Sequence, residues 1–452
     1  MNSIDIVTER IWQKGGQPAL FWNGKRWSYD DFHNLVDSWI PVIEKANIGS
    51  GSVVGILSDY TPQTCALFWA LILKNAILVP FTRAIEKEMP SFMEIAGVQH
   101  LFRFDRQDNW TLDHMVQSPQ SPLVEEFRTR GTPGLIVFSS GSTGKPKGIL
   151  HDIERVMRKF TKERQGWRTV LFLMMDHFGG FNTLLSTFAY GGVGVCVNDR
   201  KPEAVCRAIQ ESNANLLPTT PTFLNLLIAS GSYKDFNLAS IELITYGTEV
   251  MSETTLQKVK EIFPNAQIKQ TYGLSEVGVL RSKSESDASV WVKIGGEGFE
   301  VKIIDNILYI RSEANMVGYL NAPSPFDEEG WMCTGDHVEV KEDYMRILGR
   351  KSEMINVGGQ KVFPVEVENV LLQADNVLEA AVFGRPHPMM GQVVTARVTL
   401  REEEDPQKVT ERLRKFCLER MARYKVPVRF IIANEDEIHS ERFKKIRKES
   451  QP

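Results

Sequence analysis

Short apolar runs alternate with amphipathic stretches up to about residue 340 of this 452-residue chain. Residues 51–57 read as a strand, 61–73 as a helix and 76–80 as the next strand. The rhythm recurs as a strand at 169–173, a helix at 181–189 and a strand at 193–197, followed by a helix at Pro202–Ser212 and a strand at 216–218. This β–α–β succession predicts parallel sheet covered on both faces. The apolar run 135–138 reads as one more buried strand.

Near Ile294 the pattern changes to strict alternation, as in 300–304 and 307–310, which predicts an antiparallel β-rich subdomain. A charged connection at 341–344 leads to Gly349-Arg350-Lys351-Ser352-Glu353, where the main boundary is placed. The remainder predicts a small α+β domain. Its first helix opens at 363–368 with Pro364 in the first turn, strands follow at 377–384 and 393–400, and a second helix spans 406–421. No fixed-period repeat is present.

Composition narrows the class. A 42% hydrophobic and 24% charged content is that of a globular protein of two or three domains. The net charge of −4 argues against a dedicated nucleic-acid binder. Five scattered cysteines without CxxC spacing fit free thiols in a reducing compartment rather than a disulfide frame or zinc site. The N-terminal residues lack a signal-peptide pattern, and no stretch is apolar for long enough to span a bilayer. The expected location is cytoplasmic.

The most informative stretch follows the apolar run 135–138: Ser139, Ser140, Gly141, Ser142, Thr143, Gly144, Lys145, Pro146, Lys147 and Gly148. A strand running into a hydroxyl- and glycine-rich loop places backbone N–H groups and an ammonium against phosphate. It is not a Walker A loop: Pro146 follows Lys145, where that motif requires Ser or Thr and a helix. The ten residues resemble the signature loop of the adenylate-forming superfamily. That superfamily includes acyl- and aryl-CoA synthetases, adenylation domains of nonribosomal peptide synthetases and luciferases.

Further motifs carry the same resemblance. Thr271-Tyr272-Gly273-Leu274-Ser275-Glu276 is similar to the superfamily's Tyr-Gly-x-Thr/Ser-Glu motif. The resemblance assigns Tyr272 to adenine, Ser275 to phosphate and Glu276 to Mg²⁺, with Thr271 and Gly273 beside the nucleotide. Trp331-Met332-Cys333-Thr334-Gly335-Asp336 resembles the ribose-binding motif, making Asp336 the ribose ligand; Cys333 replaces a more usual arginine. Residues 349–364 resemble the hinge and first loop of a mobile C-terminal domain. This implies that Arg350 contacts ribose or phosphate and that Gly358-Gly359 lets a pantetheine arm pass; the hinge position falls on Ser352. The segment Phe443-Lys444-Lys445-Ile446-Arg447 is the counterpart of a C-terminal Ser-Gly-Lys-Ile-x-Arg. Lys445 is thereby the candidate catalytic lysine, Lys444 the alternative one residue away, and a solvated basic tail the plain reading of the run.

For the acid pocket the resemblance points to Met174-Met175-Asp176-His177-Phe178-Gly179-Gly180. His177 matches a histidine that abuts the acyl group and is the second catalytic candidate. Asp176 faces a polar substituent of the substrate or is held by local backbone N–H groups. Thr220 and Phe223 resemble the loop and helix start lining the acyl pocket, while Gly247, Thr248 and Glu249 resemble the segment between acyl pocket and adenine. Phe178, Phe181 and Phe223 either bound an apolar acid or belong to the core.

The expected fold is α/β: a large N-terminal AMP-binding domain (1–348) of βα subdomains plus a β-rich subdomain, a hinge (349–352) and a small mobile α+β C-terminal domain (353–452). The resemblance is traced from about Gly51 onwards, and the first hundred residues look compressed. The expected function is an ATP- and Mg²⁺-dependent ligase that forms an acyl adenylate from a small carboxylic acid, releases pyrophosphate and passes the acyl group to the thiol of CoA. Three alternatives stay open: loading of a discrete carrier protein through its phosphopantetheine, a catalytically silent acyl-adenylate-binding module, and an NTPase or kinase, which would release ADP.

Overall fold

In a computed structural model of the chain, residues 1–115, 121–139, 146–287 and 289–433 are described. Two seven-stranded sheets form the larger part. In the first, strands Gly134–Ser139, Ile77–Phe81, Val53–Leu57 and His100–Phe104 lie parallel, with antiparallel strands Trp110–His114 at one edge and Lys147–Asp152 and Gly318–Tyr319 at the other. In the second, strands Gln267–Gln270, Leu243–Tyr246, Leu216–Thr219, Arg168–Val170, Val193–Val195 and Pro18–Trp22 run parallel, and Lys25–Ser28 closes the edge. Every residue of Val53–Leu57 and Ile77–Phe81 is buried, which explains their continuous apolar runs: both faces of a central parallel strand are covered.

The helices between the sheets share one core. Phe32 and Trp39 of Tyr29–Lys45, Phe68 and Trp69 of Pro62–Leu73, and Phe181 and Phe188 of Phe178–Ala189 meet side chains from both sheets there. Pro62–Leu73 is buried nearly all round, as its lack of a polar face requires. Thr61 caps it by accepting from the Thr64 N–H. The outer face of the second sheet packs under helices Pro202–Ser212, Pro221–Ser230 and Glu253–Ile262.

A six-stranded antiparallel sheet follows, and then a five-stranded sheet covered by helices Pro364–Leu371 and Pro406–Leu418. A large α/β N-terminal domain and a smaller C-terminal α+β domain are therefore present. The six-stranded sheet starts earlier than Ile294, at Ser282–Ser284. The charged connection at 341–344 proves to be the tight turn between strands Met332–Lys341 and Tyr344–Arg350, with Glu342 at φ 54°. The chain leaves that sheet after Arg350, through the short turn Lys351–Glu353.

Several expected elements differ in extent. Two strands of the second sheet stop at Val170 and Val195, three and two residues early, and the first runs into the loop that carries Asp176 and His177. The helix expected from 181 begins at Phe178, and the last helix ends at Leu418. The first fifty residues are integral: helix Ser3–Trp12 and the hairpin Pro18–Ser28 complete the second sheet and its cover.

Candidate functional site

Strand Gly134–Ser139 leaves its sheet at Ser139, and the chain returns antiparallel as Lys147–Asp152, pairing Ser139 with Lys147. A strand, not a helix, thus follows the hydroxyl-rich loop, as Pro146 requires. Ser140, Gly141, Ser142, Thr143, Gly144 and Lys145 lie outside the described residues. The loop's exit is clasped by Asn321, whose Oδ1 accepts from the Gly148 N–H at 3.1 Å and whose Nδ2 donates to the Pro146 carbonyl at 2.9 Å. Two residues earlier, the Tyr319 hydroxyl donates to Glu276 Oε1 at 2.7 Å, and the Lys147 ammonium lies 4.7 Å from the centre of its ring. The carboxylate expected to meet Mg²⁺ and the exit of the loop expected to meet phosphate are thus tied to one short segment, residues 319–321. Tyr319 and Asn321 carry no motif in the sequence; the pairing of Gly318–Tyr319 with Lys147–Asp152 brings both to what they hold.

Glu276 sits in the turn of a short hairpin, between strands Tyr272–Leu274 and Gly278–Leu280. Buried Tyr272 donates its hydroxyl to Asp336 Oδ2, and Arg350 Nε donates to Asp336 Oδ1 at 3.2 Å. Burial raises the Asp336 pKa above the usual carboxylate range, while Arg350 and the Tyr272 hydrogen bond pull the other way. Burial, then the neighbouring Asp336, pushes the Tyr272 phenol well upward, which keeps it a proton donor. The three candidates therefore form one connected group spanning two sheets. Ser275 is half-buried in the turn after Tyr272, and its backbone reaches the buried ring of His151.

Strand Leu243–Tyr246 delivers Gly247, Thr248 and Glu249 to the same side. Gly247 packs so tightly on Thr271 that a Cβ would lie 2.6 Å from Thr271 Oγ1. Thr248 adopts φ 69°, a left-handed conformation costly for a β-branched residue and typical of strained functional turns. Glu249 accepts from the Thr222 hydroxyl at 2.6 Å and the Thr222 N–H at 3.2 Å, at the start of helix Pro221–Ser230.

The acyl-side candidates divide. His177 occupies the N-cap position of helix Phe178–Ala189, where its carbonyl accepts from the N–H groups of Gly180 and Phe181. Phe178 is buried, with its ring centre 4.4 Å from that of His151 and its edge near Gly278. Asp176 is 3% exposed and accepts from the Thr82 hydroxyl at 3.0 Å, so a side chain of the opposite sheet supplies a partner that the sequence did not reveal. The nearby Arg200, also buried, forks onto both oxygens of Asp59 at 2.5 and 2.7 Å and donates Nε to the Phe172 carbonyl. Thr220 caps helix Pro221–Ser230 by accepting from the Phe223 N–H, and Phe223 is fully buried against Phe172 at 4.4 Å. Both have structural duties in the core of the second sheet.

In the smaller domain, Gly358 and Gly359 form the two-residue turn of hairpin Ile355–Val362, at φ 56° and 88°. Both central residues of such a turn need positive φ, so glycine is explained here by the backbone. Helix Pro364–Leu371 faces the start of Pro221–Ser230 across a cleft lined by Glu249, Val250, Val365 and Glu368. Lys444 and Lys445 lie outside the described residues. Among the described residues no cluster of three His, Cys, Asp or Glu side chains suited to a metal ion exists. A lone Glu276 suits Mg²⁺, which takes one or two carboxylates plus substrate phosphates.

The exit of a hydroxyl-rich loop, an aromatic–carboxylate–arginine group and a single carboxylate lie at strand ends, an arrangement suited to a nucleotide. Residues 7–320 match the AMP-binding enzyme family, and residues 366–442 match the AMP-binding enzyme C-terminal domain; the chain belongs to this family. The match begins well before Gly51. The chain is 23% identical over 467 residues to the long-chain-fatty-acid–CoA ligase FadD13 of Mycobacterium tuberculosis, covering 90% of this chain and 89% of that one. It is 25% identical over 479 residues to the indoleacetate–CoA ligase of Aromatoleum aromaticum, covering 93% and 92%. The solved anthranilate CoA ligase AuaEII, in complex with anthranoyl-AMP, superposes with a TM-score of 0.82 at 21% identity over 99% of this chain and 96% of that one. The protein is an enzyme of the acid–thiol ligase type, similar to acyl-CoA synthetases.

Proposed function

We propose that this enzyme joins a small carboxylic acid to AMP at the expense of ATP and then transfers the acyl group to the thiol of CoA. The observation that carries this reading is the connected group Tyr272–Asp336–Arg350 beside the Lys147–Tyr319–Glu276 group. In it Asp336 holds the ribose diol, with Tyr272 and Arg350 fixing the carboxylate from either side. Gly247 and Thr248 border the adenine, and His177 and Phe178 border the acid. Lys147 and the preceding loop neutralise phosphate charge.

A carboxylate is already anionic, so attack of its oxygen on the α-phosphate needs no general base. Pyrophosphate leaves, and the adenylate is a far better acyl donor than the free acid. Glu276 would hold Mg²⁺, which would supply charge neutralisation on the phosphates. Lys445, on the smaller domain, stabilises charge developing between carboxylate and α-phosphate. Rotation after Arg350, around Ser352, withdraws it and brings Gly358-Gly359 to the thiol. A discrete carrier protein is the alternative acceptor, for which Asp176 and the compact size of the chain speak; the Thr82 hydrogen bond gives Asp176 a duty within the protein as well. Acid-dependent exchange of pyrophosphate into ATP tests this proposal, and production of ADP in place of AMP would refute it.

A further inference from the structure

Lys159 lies in the turn Arg158–Phe160, with its ammonium donating to Asn182 Oδ1 and lying 5.0 Å from the centre of the Phe160 ring. Among the described residues no carboxylate comes within ion-pair reach of it. Surrounding protein, then the charge of Arg281, pulls its pKa down to about 7. Glu297, the acidic partner of Arg281, is engaged by Lys162 as well. Arg164 adds to the same field, which also reaches Tyr190 and Lys269. A local concentration of cationic side chains on a chain of net charge −4 is a specific feature rather than a reflection of composition. A desolvated ammonium with no counter-ion is costly unless a ligand supplies one.

Its position says which ligand. Asn182 stands four residues after Phe178 on helix Phe178–Ala189, so the two side chains share a face about one turn, roughly 6 Å, apart. Arg281 follows the strand Gly278–Leu280, whose Gly278 lies against the Phe178 ring. Lys159 and Asn182 therefore meet one turn beyond the residues that border the acid in the proposed reaction, where the charge of Arg281, itself paired with Glu297, reaches the Lys159 ammonium.

We propose that Lys159, with Arg281 and Asn182, forms an anion-binding subsite for a second acidic group carried by the carboxylic acid substrate, remote from the carboxylate that is activated. This rests on the ligase reading above and adds the substrate class, acids with two anionic ends.

The test is ATP–pyrophosphate exchange with matched pairs: hexanoate against adipate, octanoate against suberate, and phenylacetate against 4-carboxyphenylacetate. The subsite predicts that kcat/KM for a diacid exceeds that of its partner by at least tenfold in one pair. Lys159→Met should cut that ratio at least tenfold, and Lys159→Arg should restore most of it. Should Lys159→Met fail to fold, Arg281→Gln carries the same prediction. Equal ratios in parent and variant would overturn the subsite alone. A rise in KM for ATP or CoA with the acid ratio intact would assign the cluster to a phosphate and overturn it as well. No exchange with any acid of either series would overturn the ligase reading together with the subsite.

Discussion

The Tyr319 hydroxyl holds Glu276 Oε1 at 2.7 Å while the ring of the same residue carries the Lys147 ammonium at 4.7 Å. One side chain thus spaces a cation meant for phosphate from a carboxylate meant for the metal. Without it, the two opposite charges are free to approach each other in place of their ligands. Tyr319→Phe keeps the ring and removes the hydrogen bond to a half-buried carboxylate, a loss of about 1 kcal/mol. The KM for MgATP is expected to rise roughly fivefold. An unchanged dependence on Mg²⁺ and ATP in steady-state assays would remove Tyr319 from this role.

Asp336 accepts from a phenol and a guanidinium at once, and neutralising it leaves both donors facing a weaker acceptor. Asp336→Asn is expected to weaken AMP binding by about 2 kcal/mol, roughly thirtyfold. Calorimetric titration with AMP measures this directly, and parental affinity in the variant would contradict the ribose assignment.

His151 is fully buried, and burial drives its pKa down to about 3. Below about pH 6.5 the unfolded imidazole takes up a proton that the folded one refuses, so the unfolded state gains as pH falls. Stability is complete above pH 6.5 and is lost on the way down towards pH 3. Relative to His151→Asn, the parent should lose about 2 kcal/mol between pH 7 and pH 5. Urea unfolding of both proteins at the two pH values gives the comparison. Parallel losses would show that His151 is protonated in the native state.

Arg200 ties the loop ahead of His177 to the opposite sheet, forking onto Asp59 and donating to the Phe172 carbonyl. Removing one partner of a buried ion pair strands the other. Arg200→Met is expected to destabilise the larger domain by about 3 kcal/mol, seen as an earlier denaturant midpoint. Arg200→Lys should recover only part of this, since an ammonium cannot make the fork. A midpoint within error of the parent would show the pair to be dispensable.

The central strands were legible because a strand covered on both faces has to be apolar throughout, as Val53–Leu57 and Ile77–Phe81 are. The phosphate-loop exit, Tyr272 and Asp336 were legible because their chemistry is concentrated in short motifs. Tyr319 and Asn321 were not. A two-residue strand has no periodicity of its own and gains its meaning from register with Lys147–Asp152. Arg200 and Asp59 are 141 residues apart, and nothing in either neighbourhood announces the other. Asp176 illustrates the same limit: the cost of a buried carboxylate was foreseeable, but Thr82 as its partner required the second sheet to be in place. At Gly358-Gly359 the φ angles demand glycine whatever passes beside the turn, so the residue type alone does not report on a ligand.

The most direct test is the exchange of labelled pyrophosphate into ATP, run with and without a panel of aliphatic, aryl and dicarboxylic acids, in the parent and in Lys445→Ala. Acid-dependent exchange, with AMP as the nucleotide product and loss of at least a hundredfold in Lys445→Ala, is the predicted result; that loss corresponds to about 3 kcal/mol of transition-state stabilisation. Exchange that proceeds unchanged in Lys445→Ala, or turnover yielding ADP and phosphate, would contradict adenylate formation by this site.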